Sequence, residues 1–395
     1  MSLIPNMLPP DKNALLHSQS AQAMIHEKIT EADGWISFAH YMDLVLYAPG
    51  LGYYSSGSVK FGGTGDFVTA PEISSLFGRT LARQALQILA QIKSADMLEF
   101  GAGSGKLAVD MLQELEKLDA LPGKYFILEL SAELRKRQQA LFAQAIPHLL
   151  NRIEWLTQLP DQFSGIILAN EVLDAMPVHL IVWQADAILE RGVTWRNNQL
   201  AWQDRPIQNA ELHDLAESLA RILNPNNTTP FYYVSEINLA AAGFMRSLAK
   251  LLKQGVILLI DYGFGEREYY HPQRDQGTLM CHYRHHAHSD PFFLPGLQDI
   301  TSHVDFSAIT QAAHEGGLQF IGFTTQAHFL INNGITDLLA QVAAEDSDVY
   351  LPLSNQLQKL VSPAEMGELF KVIAFGKNYT ESLRGFEVGE MSRLL

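Results

Sequence analysis

Residues 97–112 read MLEFGAGSGKLAVDML and give the clearest structural signal in this chain. An apolar run ends at Phe100, alternating glycines follow, and apolar residues at helical spacing resume at Leu107. A glycine-rich turn between a strand and a helix lets the backbone approach a ligand closely and points free N–H groups at it. The pattern therefore predicts a ligand-binding loop at the carboxyl end of a strand.

Two nucleotide-binding loops share this general design. A P-loop requires Gly-x-x-x-x-Gly-Lys-Ser/Thr, but Phe100 takes the place of its first glycine and Leu107 that of its hydroxyl residue, which excludes it. A dinucleotide loop requires Gly-x-Gly-x-x-Gly, and its third glycine would be Lys106 or Ala108 here. Because alanine is sometimes tolerated at that position, the dinucleotide alternative is weakened rather than eliminated.

A third pattern fits better, Glu99-x-Gly101-x-Gly103-x-Gly105. It resembles the first motif of class I S-adenosylmethionine methyltransferases. A carboxylate beside the loop suits a ligand that carries an ammonium and a sulfonium, and it would repel a pyrophosphate. Glu129 ends the next apolar run, where a carboxylate can accept both ribose hydroxyls, a device that NAD sites share. A purely structural turn with a surface glutamate is the remaining alternative.

Apolar runs alternate with helical segments along the chain, as in a parallel sheet covered on both faces. The runs that predict parallel strands are residues 95–100, 125–130, 152–156, 165–170 and 255–263. Two later runs, 318–326 and 369–377, predict an antiparallel C-terminal hairpin. The expected fold is α/β, a class I methyltransferase Rossmann-like sheet of seven strands.

The chain is expected to have two parts. Residues 1–80 form an N-terminal helical cap with a glycine-rich loop, and residues 81–395 form the catalytic domain. The catalytic domain carries insertions at about 178–230, β-rich then helical, and at 327–366, helical. The aromatic side chains of the cap are expected mainly to pack against each other: Trp35, Phe38, Tyr41, Tyr47, Tyr53 and Tyr54.

The loop that follows the fourth parallel strand, ANEVLDAMPV at 169–178, is the expected acceptor site. Ligands of such sheets bind beyond the carboxyl ends of the strands. Asn170, Glu171 and Asp174 would therefore lie there, with Asn170 also counted among the cofactor-binding residues. Glu171 and Asp174 are the catalytic candidates, although Asp174 could equally be a helix-start residue.

Three further acidic residues are candidates for lining the substrate cleft: Asp66, Glu72 and Asp261. Glu72 has an alternative role, since Thr69 and Glu72 have the spacing of a capping box. Asp261 ends the fifth strand and could act in catalysis or cap the following turn.

The composition limits the possible partners. The formal net charge of −15 disfavours a nucleic-acid substrate. No apolar run is long enough to span a bilayer, and the N-terminus lacks a signal-peptide pattern, so a cytoplasmic protein without membrane insertion is expected. No metal site is expected. Cys281 lies among several histidines, but their spacing favours a solvated, positively charged loop.

Several strings together resemble the MidA-like methyltransferases, whose mitochondrial members assist the assembly of respiratory complex I. The resemblance covers residues 20–377, and its strings are ISFAHYMDLVLYAPGLGYY, GDFVTAPEIS, LEFGAGSGKLAVDML, ANEVLDAMPV, LLIDYG, DITSHVDF and MGELFKV. It implies symmetric dimethylation of an arginine on a complex I subunit. It also implies that S-adenosyl-L-methionine is bound by Glu99, Gly101, Gly103, Gly105 and Glu129.

Three other functions stay open on the sequence. The chain could methylate another protein residue or a small molecule. It could be an assembly chaperone that binds the cofactor and methylates nothing. The third alternative is an NAD-dependent oxidoreductase, which would require the weakened dinucleotide pattern.

Overall fold

The computed structural model describes residues 10–55, 69–224 and 230–395. Its helices are α1 (Lys12–Glu31), α2 (Phe38–Tyr47), α3 (Ala70–Ile73), α4 (Ser75–Leu89), α5 (Lys106–Lys117), α6 (Ala132–Ala145), α7 (Ala210–Leu223), α8 (Leu239–Leu251), α9 (Glu266–Tyr269), α10 (Phe306–Glu315), α11 (Gln326–Asn332), α12 (Ile335–Leu339), α13 (Ser347–Val361) and α14 (Met366–Leu369). Short 3-10 helices span Pro147–Arg152, Arg384–Phe386 and Ser392–Leu394.

The strands are β1 (Ile36–Ser37), β2 (Asp96–Phe100), β3 (Tyr125–Leu128), β4 (Ile153–Leu156), β5 (Phe163–Asn170), β6 (His179–Gln184), β7 (Ile188–Arg196), β8 (Gln199–Pro206), β9 (Tyr232–Ile237), β10 (Leu252–Phe264), β11 (Met280–Tyr283), β12 (His286–His288), β13 (Asp299–Thr301), β14 (Val304–Asp305), β15 (Gln319–Thr325) and β16 (Phe370–Lys377).

The central sheet has the order β15-β16-β10-β5-β2-β3-β4, and the short β14 adds to the end of β10. Strands β4, β3, β2, β5 and β10 run parallel, whereas β16 lies antiparallel between β10 and β15. This is the predicted α/β sheet with its antiparallel C-terminal hairpin, and the fold prediction is confirmed. The carboxyl ends of β2, β3, β5 and β10 therefore meet at one edge.

Apolar clusters cover both faces of this sheet, which explains why its strands are near-continuous apolar runs. Helix α5 shows how a helix is held there. Leu107, Met111, Leu112 and Leu115 recur at helical spacing and are buried against the sheet. The helix begins directly after Gly105, so the packing of α5 fixes the position of the glycine loop.

A second sheet lies between β5 and β10 in the chain. Strands β6, β7, β8 and β9 form it, and β1 from the N-terminal cap joins its edge. Ile36 pairs with Val193 in this antiparallel contact. Helices α1 and α2 pack on the same sheet through a shared apolar cluster. The cap and the first insertion are thus built around one core.

The cysteine and histidine segment differs from the expectation of a solvated loop. It forms a β-hairpin of β11 and β12, and β13 pairs with β11 on the other side. Cys281 is buried in the cluster that holds α2, while Arg284 and His285 form the turn with positive φ angles. The alternation of buried and exposed positions in β11 is the signal that the spacing analysis missed.

Helices α11 to α14 occupy the segment between β15 and β16, where helices were predicted. They pack against α4 and the adjoining part of the core. None of the helices in the described ranges is both long and apolar enough to cross a bilayer.

Candidate functional site

A cavity of about 910 Å³ opens at the edge where β2, β3, β5 and β10 end. Most of the sequence-predicted site residues line it: Glu72, Glu99, Gly101, Gly103, Glu129, Asn170, Glu171 and Asp174. Gly105 and Asp261 do not line it. Asp66, the remaining candidate, lies outside the described residues.

The glycine loop needs its glycines for two separate reasons. Gly101, Gly103 and Gly105 have φ angles of +60°, +54° and +88°, a region that other residues adopt only with strain. A Cβ atom on Gly101 would also lie 3.1 Å from Cγ2 of Val172, and one on Gly105 would lie 2.9 Å from the ring of Phe142. Gly105 therefore allows close helix packing, while Gly101 and Gly103 face the cavity.

Gln138 joins the two predicted cofactor-binding elements. Its side-chain amide donates to the Gly103 carbonyl oxygen at 2.9 Å and to Oε2 of Glu129 at 3.2 Å. Its own Oε1 accepts from Nε1 of Trp155 at 2.8 Å. Gln138 is fully buried, so these contacts fix both the loop and the carboxylate. The sequence analysis had not identified it.

Glu129 and Glu99 are both buried at the strand ends. Oε1 of Glu129 accepts from the Ser131 N–H at 2.9 Å, and burial raises the pKa of Glu129. Oε2 of Glu99 accepts from the Tyr125 hydroxyl at 2.8 Å. Burial raises the pKa of Glu99 to about 7, and the negative charge of Glu129 adds to the effect.

Glu171 follows β5 directly and has a left-handed φ of +54°. Its backbone N–H donates to the Ile260 carbonyl oxygen at 2.9 Å, and its Oε1 accepts from Nδ2 of Asn170 at 3.1 Å. Burial raises the pKa of Glu171 to about 8, with a further contribution from the charge of Asp174. The unusual backbone conformation directs this carboxyl group to the cavity.

Asp174 is buried in the cavity wall. Its Oδ2 accepts a hydrogen bond of 2.7 Å from the hydroxyl of Tyr262, which lines the cavity as well. Burial raises the pKa of Asp174 to about 6, although the Tyr262 hydrogen bond opposes the shift. Asp174 is not a helix-start residue, because the chain here is a turn rather than a helix.

Asp261 was expected to line the substrate cleft, and the structure corrects this. Its side chain is fully buried behind the loop that carries Glu171 and Asp174, and it does not line the cavity. Both of its oxygens accept backbone N–H groups. Burial raises the pKa of Asp261, and the charges of Asp174 and Glu171 add to this.

Glu72 lines the cavity, but the predicted capping box is wrong. Thr69 precedes α3 without any capping hydrogen bond from its side chain. Glu72 instead accepts a hydrogen bond from the hydroxyl of Ser104 in the glycine loop. Helix α3 ends at Ile73. The next residue, Ser74, has an extended backbone, and its side chain caps the start of α4. Glu72 thus contacts the glycine loop, which is predicted to bind the cofactor.

Sequence analysis missed one wall of the cavity. Tyr47 and Tyr54 stack with ring centroids 5.5 Å apart. The Tyr47 hydroxyl donates to the Ala175 carbonyl oxygen at 3.0 Å, and that of Tyr54 donates to Oδ1 of Asp299 at 2.9 Å. These tyrosines were expected mainly to pack, and Asp299 belongs to a string, DITSHVDF, that was noted only for its resemblance.

The charge of the cavity is strongly one-sided. Its described lining contains carboxyl groups and two histidines but neither lysine nor arginine. The carboxyl groups belong to Asp43, Glu72, Glu99, Glu129, Glu171, Asp174 and Asp299. Within the described ranges, His, Cys, Asp and Glu nowhere converge in threes as they would around a metal ion. Glu99, Glu129, Asp174 and Asp299 are buried, and a wall with buried carboxyl groups favours a positively charged ligand.

Comparison with known proteins agrees with this geometry. Residues 80–324 match the model of the family described as "Putative S-adenosyl-L-methionine-dependent methyltransferase". The chain belongs to this family. It is an enzyme that uses S-adenosyl-L-methionine as its methyl donor, as the predicted cofactor pattern indicated.

Individual relatives extend over almost the whole chain. A protein from Burkholderia thailandensis, solved bound to S-adenosyl-homocysteine, is 47% identical with a TM-score of 0.94, and covers 99% of this chain and 100% of its own. The mitochondrial protein arginine methyltransferase NDUFAF7 homolog of Drosophila melanogaster is 28% identical over 94% of this chain and 89% of its own length. The Danio rerio protein arginine methyltransferase NDUFAF7 is 27% identical over 86% and 83%.

The residues present fit S-adenosyl-L-methionine. Gly101 and Gly103 leave the cradle free of Cβ atoms, and the buried carboxyl groups of Glu99 and Glu129 would supply acceptors for its ammonium and ribose hydroxyl groups. The absence of lysine and arginine from the described lining opposes a pyrophosphate, and with it the NAD alternative.

Proposed function

We propose that this enzyme methylates the guanidinium group of an arginine in a protein substrate. A respiratory complex I subunit is the candidate substrate and symmetric dimethylarginine the candidate product. The relatives named protein arginine methyltransferase support the choice of acceptor, at 27–28% identity over most of the chain. The cytoplasmic location stays a prediction.

The observation that carries the proposal is the acidic wall beside the glycine loop. Glu171 and Asp174 line it together, and the described lining residues include neither lysine nor arginine. A guanidinium is planar, remains charged at neutral pH and donates up to five hydrogen bonds. It matches a wall of carboxyl groups better than a neutral acceptor would.

The carboxyl groups would perform two tasks. The first is to hold the guanidinium so that one nitrogen faces the transferable methyl group. The second is to draw the positive charge of the guanidinium toward its other nitrogens. A bound cation would also lower the raised pKa of Glu171, because an opposite charge favours the ionised carboxylate. The carboxyl group of Glu171 would thus lose its proton more readily when the acceptor is bound.

Proton removal completes the reaction. The bound cofactor supplies an electrophilic methyl group on a sulfonium that leaves as a neutral thioether. The guanidinium nitrogen forms the new N–C bond, and one of its protons must leave to restore the single positive charge. Glu171 is the proposed acceptor of this proton, because the bound guanidinium would keep it ionised while burial makes its carboxylate more basic than that of an ordinary glutamate.

The test is mass spectrometry of a purified complex I subunit after incubation with enzyme and S-adenosyl-L-methionine. Wild type should add methyl groups to one arginine, and Glu171→Gln should lower the rate about 100-fold or more. Glu116→Gln is the matched control, since the side chain of Glu116 is 41% exposed, pairs with His148 and does not line the cavity. Firm cofactor binding without methylation by wild type would reject the proposal and favour the chaperone alternative.

A further inference from the structure

Three consecutive backbone N–H groups of the acceptor loop converge on one carboxylate oxygen. The N–H groups of Val172, Leu173 and Asp174 donate to Oδ2 of Asp261 at 3.2, 3.0 and 3.2 Å. These residues form a turn, so no helix or strand pairs their N–H groups instead. The turn would leave buried donors unpaired without this carboxylate, which is costly in a protein interior.

Asp261 itself is held rigidly. It lies in β10, where it pairs with Lys371 of β16 in register, and its neighbour Ile260 pairs with Asn170 of β5. Its Oδ1 accepts from the Tyr262 N–H at 2.9 Å. The four hydrogen bonds described for its carboxyl group all come from backbone N–H donors. Such donors favour the ionised carboxylate and oppose the rise in pKa that burial causes.

The end of β10 holds Asp174 at two points. Asp261 accepts from the Asp174 backbone N–H, and the hydroxyl of the next residue, Tyr262, donates to Oδ2 of the Asp174 side chain. Glu171, which directly precedes this turn, is held by the hydrogen bond that its backbone N–H donates to the Ile260 carbonyl oxygen. Three consecutive residues of one central strand thus fix both acceptor-site carboxyl groups.

We propose that Asp261 is the positioning residue of the acceptor site, which sets the backbone of the turn so that Glu171 and Asp174 face the acceptor. Asp261 does not touch the acceptor, since it is fully buried and outside the cavity lining. The role in turnover rests on the proposed arginine chemistry, whereas the role in ordering the turn does not.

The experiment compares wild type, Asp261→Asn and a control, Asp96→Asn, all saturated with S-adenosyl-homocysteine. An asparagine at 261 could still offer its one side-chain oxygen to the turn. Its NH₂ group would then face the backbone N–H of Tyr262, so that two donors oppose each other. Asp96 accepts the Lys124 N–H at 2.7 Å at the start of β2, the opposite edge of the sheet. Hydrogen exchange of the peptide that covers residues 171–176 is measured by mass spectrometry on these samples. The cofactor Kd, kcat and KM are measured separately, without S-adenosyl-homocysteine.

Asp261→Asn should speed exchange in that peptide about tenfold or more, because the turn loses part of its hydrogen bonding. The cofactor Kd should stay within about threefold, and kcat should fall about 10- to 100-fold with a smaller rise in KM, as expected for misaligned rather than missing groups. Asp96→Asn should change none of these.

Unchanged exchange at 171–176, or wild-type kcat in Asp261→Asn, would overturn the proposal. A variant that fails to fold would overturn it as well, since Asp261 would then serve global stability rather than the site. If wild type does not methylate arginine at all, the proposed function fails, while the exchange measurement still decides whether Asp261 orders the turn.

Discussion

Glu171→Gln should make the protein more stable near neutral pH while it removes most of its activity. Glu171 has a pKa of about 8 in the folded protein against an ordinary value of 4.5. Between these values the folded state keeps a proton that the unfolded chain has lost. Stability therefore falls as the pH rises, because the folded state binds more protons than the unfolded state. A glutamine is neutral at every pH and does not contribute to this loss.

The size of the effect follows from the shift. Each pH unit inside the window costs wild type up to about 1.4 kcal/mol, so the loss between about pH 5 and pH 7.5 is at most about 3 kcal/mol. Water in the cavity and the coupling to Asp174 reduce this, and we expect a gain of about 1–3 kcal/mol for the variant at pH 7.5. In a chain of this length that corresponds to a Tm about 1–4 °C higher.

The assay is thermal unfolding without ligand at several pH values from about 5 to 8.5, with Glu116→Gln as the control. Wild type and control should lose Tm with pH more steeply than Glu171→Gln. Some slope should persist in the variant, since Glu99 and Asp174 have raised pKa values as well. Parallel Tm curves for wild type and Glu171→Gln would refute the raised pKa of this carboxyl group from which the effect follows.

Three further predictions concern the cofactor. Gly103→Val should abolish S-adenosyl-L-methionine binding in calorimetry while the far-ultraviolet circular dichroism is retained, because a branched residue resists the φ of +54° that this cavity-lining position requires. Glu129→Ala should weaken S-adenosyl-L-methionine and S-adenosyl-homocysteine alike, and NADH should not raise the Tm of wild type; the opposite ligand preference would reject the cofactor assignment. Gln138 does not line the cavity, yet Gln138→Leu should weaken cofactor binding about tenfold or more, because its hydrogen bonds to Gly103 and Glu129 are lost. An unchanged Kd would show that these contacts do not order the site.

Most of the fold could be predicted because its strands are buried on both faces. A strand of that kind is a nearly continuous apolar run, as in GIILAN, and short-range sequence suffices to find it. The pairing of β1 with β7 could not be predicted in this way. Two residues carry no periodicity, and their partner lies in a distant insertion.

The candidate site was predictable where chemistry follows the strand ends directly. Glu99, Glu129 and Glu171 each sit at or just after a predicted strand, so the fold places them at one edge. Glu72 and Asp261 show the limit. The spacing of Glu72 suited a capping box, yet its partner is Ser104. Three of the four N–H groups that donate to Asp261 belong to residues 172–174, which are far away in sequence. Local patterns do not contain such long-range hydrogen bonds.

The joining of the cap to the first insertion has a consequence for how the chain is made. Helices α1 and α2 leave the ribosome early, but the strand that Ile36 pairs with is synthesised only when Val193 emerges. The apolar residues of the cap, among them Phe38, Tyr41 and Leu46, must remain uncovered during that interval. Such long-range closure slows folding and exposes the nascent chain to aggregation. Chaperone binding to ribosome-bound chains should therefore begin with the cap and end once β7 has been released.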